Sequence, residues 1–590
     1  MSRPARFRPC RFGVVGLLLA ASVAGAEESY EDRLIAWGLG QKGRQVEPHP
    51  AGKPIEELLV ASEDVFSESD PWPSLFNVIH VRTREEVVLR EILLKVGDRW
   101  DPALVAETER NLRRLTILAV ARVVPVKGRN GGIGLLVVTK DRLSLRLNSF
   151  FNVVGDVLQV LLLRPTEQNF LGRGQRVVVE FLLYLDTLQI SQTFHERRLF
   201  GTQLSLFEFI GIILNRSTGK PEGSVGEVAV GRPITSLRQR WSFNVEGGWT
   251  VKTQRTFCGA EVCLQPAADG SDTAVPRIYD VRQLRAEASV TRSFGLDWRL
   301  DVVAAVGGYS RRYTAPQELQ LTPAQLELLS DQVLPRSEDV TYLSAFVRFS
   351  GTEFRVLKNI DTYDLSEDYQ LGPVLQLGAR WAVPTISATH FVELGGALRY
   401  RWLAAQNLLT VSIAGSVRVV PGSEAVNRHV ALEVVNASPP FEGGRLVTRV
   451  LLDVIKFDVN KRIQLLGGGN GLRGAPAESL SGRNLLLLNV EYRARAFELR
   501  TLFVGLVLFY DAGSAFDETI QVTHTLGLGL RILIPQFNQE TIRFDFGFVI
   551  GGPERIGADR LNATYGQVTD LRPVFLDNPL GGGCDSPSCR

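Results

Sequence analysis

Apolar residues recur at every second position from about Leu143 onward, in runs of about ten residues. In one such run Trp241, Phe243 and Val245 alternate with polar or small residues. Alternation places successive side chains on opposite faces of a strand, and about ten residues cross a bilayer as a tilted strand. The pattern predicts a mostly β fold in which residues 142–575 form a transmembrane antiparallel β-barrel of about 16 strands. The other clear runs are Leu284–Val290, Leu409–Val419, Leu526–Ile534 and Ile542–Ile550.

A soluble β-sandwich or β-helix is the alternative explanation of this alternation. Two observations disfavour it: the pattern continues for more than 400 residues without a repeat period, and an export signal is present without an apolar run of about 18 residues. Hydrophobic content of 45% suits an outer-membrane barrel, whose strands place apolar residues at alternate positions. The net charge of +2 implies no polyelectrolyte partner, so nucleic acid is not expected.

The N-terminus predicts a secretory signal peptide over residues 1–26. Four arginines precede the apolar segment Phe12–Val23, and Ala24–Ala26 is an A-x-A cleavage site. Residues 27–73 are polar and broken by prolines, which predicts a linker with one short helix near Ile55–Ala61. Export and the barrel pattern together predict a location in the outer membrane of a Gram-negative cell. Residues 576–590 are expected to form a C-terminal tail.

Residues 74–141 predict a small domain with the order β-α-α-β-β. The first strand is expected at Phe76–Val81, and a capping box from Thr83 to Glu86 is expected to begin a helix that ends near Lys95. Asp101 followed by Pro102 predicts the start of a second helix. Two strands joined by a glycine-rich turn complete the unit, at residues 117–126 and 133–140.

Four cysteines follow the signal peptide, as two C-x4-C pairs in polar, loop-like surroundings. In an exported protein this spacing favours two local disulfides, one joining Cys258 to Cys263 and the other Cys584 to Cys589. A metal site made of all four thiolates is the alternative. No histidine or paired CxxC spacing supports it, so no metal is expected.

A glycine-rich loop late in the chain carries a single arginine, and its tip is Gly471, Leu472, Arg473 and Gly474. An arginine inside a barrel is costly if unpaired, whereas a charge-assisted bond to a carboxylate is strong. Asp511 and Glu491 lie on successive predicted strands that can face the lumen. The alternative is a flexible surface hairpin with a solvated arginine. A phosphate-binding loop is weaker still, because no strand-loop-helix unit surrounds the glycines.

Four segments, in order, resemble motifs of one protein family. Glu167–Gly174 is similar to an N-x-L-G-x-G turn after an early barrel strand, Leu472–Gly474 to the tip of a sixth loop, and Asn489–Arg493 and Phe509–Gly513 to the two strands that follow. With the small domain, they resemble the BamA/TamA-like family, the outer-membrane assembly and two-partner-secretion superfamily. The resemblance identifies the residues of the early barrel turn as Asn169, Leu171, Gly172 and Gly174.

The resemblance implies that the small domain is a periplasmic POTRA domain and that Arg473 holds the sixth-loop tip inside the lumen. Asp511 is the first expected partner and Glu491 the second, with Gly513 in the same wall. Ala475 departs from the family's pattern because an aromatic residue normally follows R-G, which bears on how the tip packs. The chain also does not end on an aromatic residue that closes a last strand, so that strand is expected to end near residue 550 or 575.

The implied function is an outer-membrane barrel that inserts or translocates β-rich polypeptides. Its expected partners are unfolded outer-membrane or secreted polypeptides, the lipid bilayer, and periplasmic chaperones or accessory subunits. A porin-like or structural barrel without polypeptide transport is the alternative. An enzyme is not expected, because the six histidines are scattered without Ser-His-Asp or metal-ligand spacing, and no catalytic residue or cofactor is assigned.

Overall fold

The computed structural model describes residues 30–67, 77–78, 80–154, 157–258, 261–267, 273–468, 471–476, 479–499, 502–536, 541–552 and 560–565. None of the helices in these ranges is long and apolar enough to cross a membrane. The α-helices in them are α1 Tyr30–Lys42, α2 Glu85–Leu89, α3 Pro102–Arg113 and α4 Pro323–Gln332.

The small N-terminal domain contains a three-stranded sheet, formed by β1 (Ile55–Glu63), β2 (Leu118–Lys127) and β3 (Ile133–Asp141). The order is β1-β3-β2, with β1 parallel and β2 antiparallel to the central strand. Helices α2 and α3 pack on one face, and α1 packs on the other. The approach of α1 is close, since a Cβ atom on Gly38 would lie 2.7 Å from Val138. The domain therefore has three layers.

The first strand of this domain is not where the sequence pattern placed it. The predicted linker over residues 27–73 contains α1 and β1, and the described residues of Phe76–Val81 form no strand. The order β-α-α-β-β holds, but it begins at Ile55. The pattern missed this strand because helices cover both faces of the sheet, so its apolar residues do not alternate with polar ones.

The two predicted helix starts have opposite outcomes. The capping box at Thr83 is wrong: α2 has five residues and no side-chain cap, and the Thr83 hydroxyl accepts a hydrogen bond from Asn169 instead. The start at Asp101 is confirmed, because its carboxylate accepts from the backbone N–H groups of Ala103 and Leu104. The glycine-rich turn between β2 and β3 is also as predicted.

The rest of the chain is almost entirely strand. The first set is β4 Leu145–Val154, β5 Val157–Phe170, β6 Gln175–Leu183, β7 Thr187–Glu196, β8 Ser205–Asn215, β9 Pro221–Arg232, β10 Trp241–Arg255, β11 Phe257–Cys258, β12 Glu261–Val262, β13 Leu264–Pro266, β14 Ala274–Pro276, β15 Ile278–Phe294, β16 Trp298–Thr314 and β17 Glu338–Gly351. The second set is β18 Phe354–Leu357, β19 Glu367–Gln370, β20 Gly372–Ala382, β21 Val392–Ala404, β22 Asn407–Val419, β23 Val426–Ala437, β24 Gly444–Lys456, β25 Gln464–Leu466, β26 Leu480–Gly482, β27 Asn484–Ala494, β28 Phe497–Leu499, β29 Leu502–Phe516, β30 Thr523–Leu533, β31 Ile542–Gly551 and β32 Arg560–Tyr565.

Most of these strands form one antiparallel sheet whose strand order is that of a closed barrel, with β32 beside β4. The pairs β11–β12, β13–β14, β18–β19 and β25–β26 are short hairpins outside it. The described residues give the barrel 20 strands, counting β27 and β28 as one because both pair with β29. The predicted number of about 16 is too low. The span from Leu145 to Tyr565 leaves about 21 residues per strand with its connection, and the estimate of 16 assumed longer connections.

The two faces of the barrel wall differ in polarity. On β31, Phe544, Phe546 and Phe548 point outward and are exposed, whereas Arg543 and Asp545 alternate with them and are buried. Exposed apolar side chains recur on strand after strand around the outer face. A continuous apolar outer surface of this kind fits hydrocarbon rather than water, so the barrel is of the transmembrane type.

The barrel has two distinguishable ends. At the domain end, the strand connections at 171–174, 197–204, 233–240 and 352–371 contact the N-terminal domain. The opposite connections lie at the far end. We call residues 352–371 the domain-end strap and residues 457–483 the far loop. The far loop is the eighth far-end connection rather than the expected sixth, because the barrel has more strands before it than predicted.

Candidate functional site

The far loop folds back into the barrel at its tip. Strands β25 and β26 pair at its base, and the chain then turns at Gly471 and Gly474, whose φ angles are 119° and 85°. A Cβ atom on Gly474 would lie 2.5 Å from the backbone of Gly547 on β31. Only glycine combines this backbone conformation with so close an approach to the wall. The tip therefore lies against the inner face of the last strands.

Arg473 is fully buried at this tip and is held by two carboxylates. Its Nε and Nη2 atoms donate to the two oxygens of Asp511 at 2.8 and 2.7 Å, and its backbone N–H donates to the same carboxylate at 3.1 Å. Its Nη1 atom donates to Glu491 at 2.5 Å. A bidentate arginine–carboxylate pair is among the strongest polar contacts in proteins. The structure thus brings Arg473 together with both of the residues that the sequence proposed for it.

Two further side chains complete the surroundings of Arg473. The guanidinium carbon lies 3.7 Å from the centre of the Phe509 ring, which places the cation over an aromatic face. The Asn489 amide donates to the Gly471 carbonyl at 2.6 Å and to Asp511 at 2.7 Å. Asn489 therefore joins the loop backbone to the carboxylate that holds the arginine.

The ion pairs extend along the inner wall. Glu491 accepts from Arg493 at 2.9 Å, and Arg493 donates to the Ile360 carbonyl of the domain-end strap at 2.9 Å. On the neighbouring strands, Asp545 accepts from Arg531 at 2.7 Å and lies 3.1 Å from Arg543. Five members of this network could not be assigned from the sequence. The alternation marks them as lumen-facing, but nothing local shows that they meet: Asn489, Arg493, Arg531, Arg543 and Asp545.

Ala475 and Gly513 lie beside the charged cluster. Ala475 is fully buried with Leu472, Leu466 and Leu487 in an apolar cluster. A Cβ atom on Gly513 would lie 2.8 Å from Leu466, so the loop packs directly on this part of the wall. An alanine therefore occupies the position after R-G, and the ring next to the arginine belongs to Phe509 of the wall.

The early barrel turn joins the barrel to the N-terminal domain. The amide of Asn169, fully buried, donates to the Val81 carbonyl at 3.1 Å and to the Thr83 hydroxyl at 3.0 Å, and its oxygen accepts from Gly174 N–H at 2.8 Å. A Cβ atom on Gly172 would lie 2.6 Å from a backbone oxygen of the domain. Leu171 is exposed at the turn. The glycines let two backbones approach closely at this junction.

Ion pairs form a second contact between the domain and the barrel. Arg113 of α3 donates to both oxygens of Asp368 in the domain-end strap, at 2.7 and 2.8 Å. Burial by itself would lower the pKa of Arg113, but the bonds and charge of Asp368 outweigh it, so the pKa is raised. Glu31 of α1 accepts from the Ser366 hydroxyl at 3.0 Å, which connects the same strap to the first helix.

A serine, a histidine and an aspartate meet at the end of β3, which the sequence did not suggest. His80 Nε2 lies 2.9 Å from Asp141, and its Nδ1 lies 3.4 Å from the Ser144 hydroxyl. All three side chains are buried, and Asp141 also accepts from the backbone of Thr83. The buried group joins the end of β3 to residues 80–83.

The predicted disulfides fall largely outside the described residues. Cys263 is buried and disulfide-bonded. The side chain of Cys258 and the whole of Cys584 and Cys589 lie outside the described part of the chain, so both pairings stay predictions. In that part no cluster of three or more His, Cys, Asp or Glu side chains could hold a metal ion.

The fold and the buried loop contact define a class: a large antiparallel barrel of the transmembrane type, with a loop held inside it and a small α/β domain at one end. No protein-family model matches the sequence, and no curated protein sequence matches it. Among solved structures the chain is similar to BamA from Haemophilus ducreyi lacking POTRA domains 1–3, with 10% identity, 91% of each chain covered and a TM-score of 0.33.

Two further solved structures are similar. The match with CdiB from Acinetobacter baumannii has 11% identity and a TM-score of 0.37, and it covers 87% of this chain and 73% of the CdiB chain. The match with CdiB from Escherichia coli has 10% identity and a TM-score of 0.39, and it covers 89% of this chain and 79% of the CdiB chain. Because the identities are this low and each TM-score is below 0.5, the function of this chain is inferred from its own residues.

Proposed function

We propose that this chain is a polypeptide-transport barrel of the BamA/TamA-like superfamily, which inserts or translocates β-rich proteins at the outer membrane. The N-terminal domain is a POTRA-like unit in the periplasm, and the far end faces outward. The observation that carries the proposal is the buried contact of Arg473 with Asp511 and Glu491. A charge cluster that binds a loop to the inner wall is costly unless fully paired, and here it is paired.

The position of this contact supports handling of strands. The loop tip touches β27, β29 and β31, which precede β32 along the chain, and β32 lies beside β4. In this proposal the barrel wall opens at the junction of β32 with β4. An opened junction exposes strand edges, and such edges pair with other chains. The loop tip stabilises the strands on one side of this junction.

The N-terminal sheet offers one edge for capturing an extended polypeptide. The β2 edge is covered, because Val123 N–H donates to Glu109 and residues 45–47 pair with Pro125 and Lys127. Among the described residues, β1 beyond Ile55 makes no backbone hydrogen bond except to β3. Adding a strand to β1 would supply main-chain hydrogen bonds with little demand on the substrate's sequence.

The porin-like alternative requires an unobstructed lumen, and two segments argue against it. The far loop tip lies against the inner wall. The domain-end strap connects β17 to β20, and it contacts Arg493 on the distant strand β27. Periplasmic chaperones or accessory subunits remain expected partners that deliver unfolded substrates to the β1 edge.

Depletion of the protein tests the proposal. We expect specific outer-membrane or exported proteins to be lost, measured by quantitative proteomics of both fractions, and Arg473→Ala should reproduce that loss. A photo-crosslinking residue at position 59 on β1 should capture substrate, whereas one at position 124 on β2 should not. Unchanged proteomes together with steady ion conductance that is insensitive to Arg473→Ala would favour the porin-like barrel.

A further inference from the structure

A cavity of about 1060 Å³ opens at the far end of the barrel, separate from the Arg473 cluster. It lies between the connection that joins β10 to β15 and the two ends of the far loop. We call it the far-end cleft. Its size is at the upper end of the range for small-molecule sites, about 300–1,000 Å³. Its lining includes Arg277, Lys456, Lys461, Arg483 and Asp517.

Arg277 is the unusual residue of the cleft. It is 92% buried, yet its guanidinium donates only to neutral acceptors, the Gln265 side chain at 2.8 Å and the Lys461 carbonyl at 3.1 Å. Its Nε atom is buried without a hydrogen-bond partner, and no carboxylate of the described chain lies within 4.0 Å of it. Burial lowers the pKa of Arg277, and the charge of Asp517 offsets this only in part.

Five cations and three carboxylates line the cleft, which leaves an excess of two positive charges. Asp458 is paired with Arg462 at 3.1 Å, and Glu518 is exposed. Lys456 and Lys461 form no ion pair with the described carboxylates. Arg483 is bound to Asp517 at 3.0 Å, which occupies that carboxylate. Lys456 is exposed and Lys461 half-buried, whereas Arg277 is buried. A buried cation without a carboxylate partner is costly, and a bound anion is the group that would compensate it. The charge pattern of the cleft therefore matches an anionic ligand.

The backbone holds Arg277 in place without a ligand. Its N–H donates to the Cys263 carbonyl at 2.9 Å, and its carbonyl accepts from Thr256 N–H at 3.1 Å. Cys263 is itself disulfide-bonded, so the segment that carries these bonds is cross-linked. A donor that is already fixed loses little conformational entropy when a ligand binds.

We propose that the far-end cleft binds a phosphate-bearing ligand through Arg277, with Lys456 and Lys461 completing the anion site. The guanidinium fork can donate to two oxygens of a tetrahedral phosphate, and each Nη atom of Arg277 has a second N–H beyond its bond to Gln265 or Lys461. The ligand is a free phosphorylated molecule or the headgroup of a phosphorylated glycolipid. This inference does not depend on polypeptide transport, because the cleft and the Arg473 cluster share no residue.

The test measures ligand binding to the full-length barrel in detergent by isothermal titration calorimetry. The probes are inorganic phosphate, a hexose 1-phosphate, the unphosphorylated hexose, and mixed micelles of a phosphorylated glycolipid. We expect a phosphorylated probe to bind and the plain hexose not to bind. Binding of hexose phosphate identifies a soluble ligand, whereas binding of the glycolipid micelles alone identifies a lipid headgroup.

Three variants decide whether the cleft is responsible. Arg277→Gln should weaken binding at least tenfold, and Lys461→Gln, at a half-buried site that tolerates change, should weaken it severalfold. Arg216→Gln is the matched control, because Arg216 is an exposed far-end arginine bound to the Tyr184 carbonyl outside the cleft. Heat-dependent mobility in gels reports whether each variant is folded. If no phosphorylated probe binds, or if folded Lys461→Gln and Arg277→Gln bind as tightly as wild type, the proposal is overturned.

Discussion

Two inward-turned segments of this barrel are held by ion pairs, at opposite ends and in different surroundings. At the far loop, the side chains of Arg473, Asp511 and Glu491 have no exposed surface. At the domain-end strap, the side chains of Arg113 and Asp368 remain 12% and 18% exposed. Both contacts use a bidentate arginine–carboxylate pair, so they differ chiefly in their access to water.

This difference separates a permanent contact from one that can be released. A buried pair cannot exchange its partner for water, so removing one member leaves an uncompensated charge. A half-buried pair is screened by salt and can be replaced by hydration. We infer that the loop tip is held to the wall more firmly than the strap is held to the N-terminal domain.

Replacing Arg473 with alanine should have the largest effect. The substitution leaves Asp511 and Glu491 buried without their partner, which should destabilise the barrel by about 3–5 kcal/mol. The measurement is the temperature at which the compact form is lost in unheated detergent gels. Arg483→Ala is the control from the same loop: its pair with Asp517 is more than half exposed, so a change within about 1 kcal/mol is expected. Equal heat resistance of the Arg473 variant and wild type would contradict a paired, buried cluster.

Replacing Asn169 with alanine should act at the domain end only. It removes the buried hydrogen bond to the Thr83 hydroxyl and the part-buried bonds to the Val81 carbonyl and Gly174 N–H, at a cost of about 1–3 kcal/mol. We expect faster proteolysis of residues 80–90 with unchanged heat resistance of the barrel. Asn215→Ala, in an exposed far-end turn, is the control and should leave that cleavage rate unchanged. A uniform loss of barrel stability would show that the two ends are not independent.

The pair of Arg113 with Asp368 should contribute less free energy than the Arg473 pair, and its contribution should depend on salt concentration. A double-mutant cycle with Arg113→Gln and Asp368→Asn should give a coupling of about 1 kcal/mol that decreases as salt is added. The same cycle with Arg473→Gln and Asp511→Asn should give a larger coupling that salt does not change. Identical salt dependence of the two cycles would show that the two ion pairs do not differ in their access to water.

Replacing Glu56 with glutamine should have the smallest effect, a pH-dependent loosening of the turn between β2 and β3. Its carboxylate accepts from the backbone N–H groups of Asn130, Gly132 and Arg129, and these bonds lower its pKa. A lowered pKa in the folded state stabilises the turn above the unfolded pKa of about 4.3, and this is lost as the pH falls through the folded value. Tryptic cleavage after Arg129 should therefore rise severalfold in Glu56→Gln at neutral pH, with wild type approaching the variant only in acid. A constant ratio of cleavage rates down to acid pH would contradict this role.

The parts of the fold that follow from local patterns could be predicted. Alternation in runs such as Trp241–Val251 gave the barrel, and Asp101 followed by Pro102 gave α3. Strand β1 and helix α1 could not be predicted in this way. Their apolar residues are buried between layers of the small domain, and burial on both sides removes the periodicity.

The sequence by itself determined that this chain forms a barrel and that Arg473 needs a carboxylate. Its partners Glu491 and Asp511 lie 18 and 38 residues away on the next strands, near enough for strand order to place them. Only the tertiary structure decided the rest. Arg493 meets Ile360 across 133 positions, and Arg113 meets Asp368 across 255. Such contacts depend on closure of the barrel and docking of the domain, which join charges that no local pattern relates.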